Sequence, residues 1–194
     1  MDRVDLTIIE ELRKNGRLSL SALGRKIGMS HVAIRRRLKK LIESKVMRVS
    51  SELNVKILGF KLATLMMEVE TYEKLVELAD TYIKCPRTLM IIHSLGRRNL
   101  IAIIWAENND TLRSILDSCS IRTREMVRKS EVSVGDVLHP EYLPLQIISS
   151  GKLKIAPCGL DCNKCRRYQE DKCLGCPATQ RYKGITTLTS VSVA

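Results

Sequence analysis

VDLTIIEELRKNGRLSLSALGRKIGMSHVAIRRRLKKLIESKVMR, residues 4 to 48, holds three short apolar periodicities separated by turn residues. Leu6, Ile9 and Leu12, with Ile8, recur at helical spacing, and Asn15-Gly16 supplies a stop, which predicts a helix from about Val4 to Lys14. Ser19 can cap a second helix, in which Leu20, Leu23 and Ile27 share a face and Gly28 marks the end. Ser30 can cap a third, whose Ile34, Leu38, Leu41 and Ile42 form one apolar stripe. Two short helices joined by a tight, glycine-containing turn make a helix-turn-helix.

The third helix has a second face. At about 100° per residue, Val32, Ala33, Arg36, Lys39 and Lys40 fall on the side away from the apolar stripe. That face is small where the helix begins, which lets it sink into a major groove, and cationic further on. Arg36 can present a bidentate fork to guanine, and Lys39 and Lys40 can reach phosphates. Ser30 and His31 at the helix start, and Arg35 beside Arg36, complete the candidate DNA contacts. Arg37 turns toward the apolar side, where a structural contact and a phosphate contact are both open to it.

Charge is concentrated at the two ends of the 194-residue chain. Residues 1 to 50 carry 13 Lys/Arg against 5 Asp/Glu, residues 51 to 150 carry 12 against 13, and residues 151 to 194 carry 8 against 3. A basic excess confined to a small helical segment is what phosphate binding requires, because each contact releases condensed counterions from the nucleic acid. No window approaches the roughly eighteen apolar residues of a membrane span, and the N-terminus is polar and periodic, so a soluble, cytoplasmic protein is expected.

Behind these helices the hydrophobic period changes. FKLATLMMEVE (60 to 70), RTLMIIHSLG (87 to 96), NLIAIIWAE (99 to 107) and VRKSEVSVGDVL (127 to 138) read as strands. TYEKLVELADTYIKC (71 to 85) and NNDTLRSILDSC (108 to 119), the latter capped by Asn109 or Asp110, read as amphipathic helices. The order βαββαβ predicts an α+β, ferredoxin-like sandwich of four strands and two helices. The apolar run IAIIW invites pairing with another copy of the sheet. Cys85 and Cys119, one at each helix end, are expected to pack as small apolar residues. No Ser/His/Asp signature, phosphate-binding glycine loop or paired-carboxylate motif stands out, so an enzyme is not expected.

The first fifty residues resemble the winged helix-turn-helix of the Lrp/AsnC transcription regulators. The likeness rests on Asp5-Leu6 before Ile8-Ile9, Asn15-Gly16-Arg17-Leu18-Ser19, Ile27-Gly28-Met29-Ser30, and Ile34 through Arg37-Leu38 to Leu41. It implies that Val46-Met47-Arg48-Val49 begins the wing, and that residues 58 to 140 form the effector and oligomerisation domain. It also implies a homodimer, assembling further, on double-stranded DNA. His93, Ser94, Gly96 and Asn99 sit where the family's effector-responsive hairpin lies, which marks them as candidates for a small-molecule effector. The family commonly has an aspartate just after that turn, where this chain has Asn99 beside Arg97 and Arg98.

PCGLDCNKCRRYQEDKCLGC, residues 157 to 176, gathers five of the seven cysteines. Between Cys158, Cys162, Cys165, Cys173 and Cys176 lie three, two, seven and two residues. In a reducing compartment such spacing points to metal before disulfides, since each CxxC pair brings two thiolates onto one ion. A zinc site would use Cys162, Cys165, Cys173 and Cys176; an iron-sulfur cluster would use Cys158, Cys162 and Cys165 with Cys173 or Cys176. The sequence does not decide between them. CxxxCxxC also resembles the radical-SAM cluster motif, but no barrel-sized domain accompanies it.

The expected organisation is therefore a winged helix-turn-helix over residues 1 to 52, the ferredoxin-like domain over 58 to 140 and a linker over 141 to 153. A separate metal-stapled module over 154 to 180 and a tail of no assigned role over 181 to 194 follow. The expected function is a sequence-specific transcription regulator, its cysteine module coupled to metal or redox state. Two rivals share the pattern: a tetrapyrrole-modifying enzyme of the siroheme-decarboxylase type, which resembles this fold, and a non-specific chromatin-type DNA binder.

Overall fold

The computed structural model describes residues 1–145 and 153–184, and the chain divides into two compact units between Ser51 and Glu52. The first unit contains α1 (Arg3–Lys14), α2 (Leu20–Ile27) and α3 (His31–Glu43). Each start is capped as the sequence predicts for Ser19 and Ser30. Their hydroxyls accept the N–H groups of Ala22 and Ala33 at 3.1 and 3.2 Å. α1 opens with a capping box in which Asp2 and Asp5 each accept the other's backbone N–H. Gly28 closes α2 at φ 76°, a left-handed geometry that residues with a Cβ avoid.

Ile8, Leu23, Ile34 and Leu41 form the centre of this unit, with Leu12, Leu38 and Met47 packed around them. Two expected core residues lie outside it: Leu6 is 52% exposed and Ile42 43% exposed. Three short helices enclose only a narrow stripe of each, and Leu6 and Ile42 fall beyond its edge. The expected wing is also absent, because residues 46–52 form no strand and Val46 and Val49 are exposed. A wing strand needs a hairpin partner, and the segment that follows, β1 (Leu53–Asn54), pairs instead with β6 (Tyr142–Leu143).

The second unit contains β2 (Lys61–Val69), α4 (Tyr72–Tyr82), β3 (Thr88–His93), β4 (Leu100–Ala106), α5 (Asn109–Ser114) and β5 (Val127–Gly135). The strands make one antiparallel sheet in the order β3-β4-β2-β5. This is the predicted βαββαβ sandwich. Alternation decides its two faces: Ala63, Leu65, Met67 and Val69 of β2 and Leu100, Ala102 and Ile104 of β4 are buried beneath the helices. α4 contributes Leu75, Leu78 and Tyr82, and the α5 segment Leu112 and Ile115. Each such side chain contributes roughly 1.5–3 kcal/mol by leaving water.

Asn108, rather than Asn109 or Asp110, caps α5, its Oδ1 accepting the Thr111 N–H at 2.8 Å. After six residues α5 widens into a π turn, Ile115–Cys119. On the other side of the sheet Met90 and Ile92 are exposed, whereas Trp105 is covered by Phe60, stacked at 5.1 Å.

The cysteine-rich segment, expected to stand apart, is part of this second unit. A short 3-10 turn (Cys162–Lys164) and α6 (Arg166–Gln169) are its regular elements. Arg87 Nη2 donates to the Gly175 carbonyl at 2.7 Å, the Ser114 hydroxyl to the Lys172 carbonyl at 2.7 Å, and Arg124 Nη2 to the Cys158 carbonyl at 2.5 Å. The Leu174 N–H reaches Thr111 Oγ1 at 3.3 Å. A segment this short cannot bury a core of its own, so it packs on the helical side of the sheet domain. The expected linker holds β6 at Tyr142–Leu143; its residues 146–152 lie outside the described residues. Of the expected tail, Tyr182 hydrogen-bonds Glu107 through its hydroxyl, and residues 185–194 lie outside the described residues.

Candidate nucleic-acid interface and cysteine cavity

α3 presents the predicted cationic face. His31, Val32, Arg35, Arg36, Lys39 and Lys40 are exposed and Ala33 is half-buried. Ser30, Val32, Ala33, Arg36 and Lys40 line one shallow depression together with Asp2, Asp5 and Arg37. Lys39 pairs with Glu43 at 3.6 Å, while Arg36 and Lys40 make no ion pair among the described residues. The Arg36 guanidinium and the Lys40 ammonium are thus free for phosphate or base contacts.

Arg37 is taken. Its Nη1 lies 2.7 Å from Asp2 Oδ2 and 2.8 Å from Asp5 Oδ1, tying the middle of α3 to the start of α1. The Arg37 hydrogen bond, followed by the Asp2 backbone N–H, holds the Asp5 carboxyl below its usual range. The structural reading of Arg37 therefore holds, and that residue positions α3.

The hairpin after β3 carries the four expected effector residues. His93 is exposed and lies 5.5 Å, ring to ring, from Tyr72; the Ser94 N–H donates to the Asn99 carbonyl at 2.9 Å; Gly96 has φ 132°. Asn99 uses both ends of its amide on Val69, accepting from its N–H at 2.8 Å and donating to its carbonyl at 3.0 Å. It closes the end of the sheet as a backbone bridge would.

The five tail cysteines do not stand alone. Cys158, Cys162, Cys165, Cys173 and Cys176 line a single cavity of about 70 Å³, and Cys85 and Cys119 line it from the sheet domain. Ile104, Ile115, Ile121 and Leu160 make its apolar walls. Cys85 and Cys119 do pack against the main core as expected, but their position against the tail is what sequence reasoning missed. The two helix-end cysteines are far from the cluster in sequence, and no local spacing links them to it. Burial pushes up the thiols of Cys85, Cys119, Cys162 and Cys173, and that of Cys176 to about 12. Among the described residues no three His, Cys, Asp or Glu side chains converge closely enough to hold one metal ion. The four-cysteine set expected for zinc is thus not gathered around a point.

Gly175 sits at the wall with φ 83°, and a Cβ there would stand 2.5 Å from the Arg181 carbonyl oxygen. The CxGC turn needs glycine for this approach.

A basic recognition-type helix in a helix-turn-helix, followed by a four-stranded α+β domain, defines a class of helix-turn-helix proteins with a separate sheet domain. Residues 1–42 match the model of the AsnC-type helix-turn-helix domain. The chain is 29% identical over 119 residues to the HTH-type transcriptional regulator LrpA of Pyrococcus horikoshii, covering 61% of this chain and 84% of that protein. Its fold is similar to Escherichia coli AsnC, with TM-score 0.61 and 18% identity over 72% of this chain and 93% of that one. It is similar also to the Mycobacterium tuberculosis leucine response regulatory protein LrpA, with TM-score 0.63 and 18% identity over 73% and 97%. The chain thus joins a match to the AsnC-type helix-turn-helix domain over residues 1–42 to a sheet domain that shares its fold with these structures. Among the described residues no helix is long and apolar enough to cross a membrane.

Proposed function

We propose that this chain is a sequence-specific, DNA-binding transcription regulator of Lrp/AsnC type, acting in the cytoplasm, whose cysteine segment couples metal or redox state to DNA affinity. The observation that carries the DNA reading is the exposed cationic face of α3, where Arg36 and Lys40 make no ion pair among the described residues while Arg37 braces the helix. The exposed apolar residues Met90 and Ile92 on the open side of the sheet support self-association, which would offer two recognition helices to a pseudo-palindromic site. A small-molecule effector at the hairpin would engage His93, Ser94 and Gly96 more readily than Asn99, whose amide is occupied.

Selection of bound duplexes from a random pool, followed by affinity measurement over a salt series, tests the reading. An enriched inverted repeat bound well above random DNA is expected. Equal affinity for all sequences would favour a non-specific binder and overturn it. Operator affinity that is the same for metal-loaded and metal-free protein, reduced and oxidised, would remove the coupling.

A further inference from the structure

All seven cysteines of the chain face one cavity, although two of them belong to the sheet domain and five to the segment docked on it. We propose that this cavity binds an iron–sulfur cluster of the four-iron class, with a sulfur shell supplied from both sides, Cys85 and Cys119 included. The inference deepens the metal part of the function proposed above and is independent of the DNA part.

Shape decides between an ion and a cluster. Zinc requires donors at about 2.0–2.3 Å around one point, in a tetrahedron. Here no three donor side chains among the described residues converge in that way. The seven cysteines instead line a void of about 70 Å³. One water needs about 10–15 Å³ by this measure, so the void has room for a guest of several atoms. A cluster brings its own iron and sulfide to the centre and leaves its cysteine ligands apart.

The walls suit a cluster in two further ways. Ile104, Ile115, Ile121 and Leu160 screen the interior from water, one of the levers that set a cluster's potential. Backbone N–H groups face the sulfurs: that of Gly175 lies 3.5 Å from Cys173 Sγ, and those of Cys176 and Ala178 face Cys162 and Cys176. Such donors stabilise thiolate ligands. Arg124, which contacts no carboxylate among the described residues, reaches the Cys158 carbonyl beside the cavity and would offset the negative charge of a thiolate-bound cluster. Each ligating thiol would release its proton to solvent as its iron–sulfur bond forms.

The test is anaerobic reconstitution of the full chain with ferric iron, a thiol reductant and sulfide, followed by iron and acid-labile sulfide analysis and electron paramagnetic resonance of the reduced protein. About four irons and four sulfides per chain are expected. In the C85A/C119A double variant a several-fold loss of bound iron, or an altered resonance signal, is expected, while Trp105 emission of the metal-free protein stays as in wild type. Should that variant fail to fold, C85S and C119S, which keep size, carry the same comparison. One zinc per chain without sulfide, no bound metal at all, or an unchanged cluster in the variants would each overturn the inference. Duplex selection on the metal-free and the reconstituted protein separates the two proposals: DNA binding by a protein that takes up no cluster sinks this one alone, and a cluster-loaded protein that, like the metal-free one, selects no duplex sinks the regulator alone.

Discussion

Arg87 and Glu107 form a buried ion pair, Nη1 to Oε2 at 2.7 Å, with both side chains only 4% exposed. The pair holds the cysteine segment in place. Arg87 extends its second nitrogen to the Gly175 carbonyl and lies 5.3 Å from the Trp105 ring, while Glu107 accepts from the Tyr182 hydroxyl. Removing one partner leaves a buried charge uncompensated, so Glu107→Ala should destabilise the second unit by about 3–5 kcal/mol. Trp105 is the chain's only tryptophan and reports this directly in urea unfolding followed by fluorescence. A midpoint equal to wild type would show that the segment docks without the pair.

Arg36 and Lys40, both exposed on α3, should separate by role. Arg36→Ala is expected to lower affinity for a selected operator by roughly 5- to 100-fold and to relax preference at one base position. Lys40→Ala should weaken all sequences alike and reduce the slope of log affinity against log salt by about 1. Titrations at several salt concentrations distinguish the two outcomes.

Ser30 stands both at a helix cap and on the DNA face. Ser30→Ala removes the acceptor for the Ala33 N–H, at a cost of about 1 kcal/mol in stability. Ser30→Asp keeps the cap but places a negative charge beside the groove. Thermal unfolding close to wild type together with a marked loss of DNA affinity is therefore expected for Ser30→Asp. Loss of stability equal to that of Ser30→Ala would show that the cap geometry is not kept.

Acid should loosen the helix-turn-helix through Arg37. The Asp5 carboxyl is held below its usual range by the Arg37 hydrogen bond first, and Asp2 by the Asp5 backbone N–H and then by Arg37. A lowered folded pKa contributes stability above the unfolded value of about 4, and that contribution is lost as pH falls through it toward the folded value. The helical thermal transition should move down modestly between about pH 5 and pH 3, and less so in Arg37→Met. An equal shift in both proteins would exclude this pair as the cause.

The open face of the sheet predicts association. Replacing Met90 and Ile92, both exposed on β3, with Lys should shift the chain toward monomer in analytical ultracentrifugation. Trp105 emission should not change, because its cover is Phe60 and not a second copy.

Much of this fold could be read locally. Ser19, Ser30 and Gly28 sit within a few residues of the groups they satisfy, and the two-residue alternation of β2 separates Leu65 and Met67 from Thr64 and Met66 without reference to the rest of the chain. The readings that failed depended on edges or partners. Leu6 and Ile42 kept the helical period but fell outside the small core, and Val46–Val49 found no strand to pair with. Asn108 displaced its neighbours as the α5 cap because capping depends on the backbone angle at the entry to the helix, which three adjacent polar residues do not reveal.

The sequence by itself determined the three capped helices, the cationic face of α3, the βαββαβ order and the five clustered cysteines, because each is set by spacing and turn chemistry over short stretches. Only the tertiary structure decided that Arg37 braces α1 instead of facing outward, and that Cys85 and Cys119 meet the other five around one cavity. Those contacts join residues far apart along the chain. They exist because a segment too short to bury its own core docks onto the helical side of the sheet domain, held there by Arg87, Ser114 and Arg124.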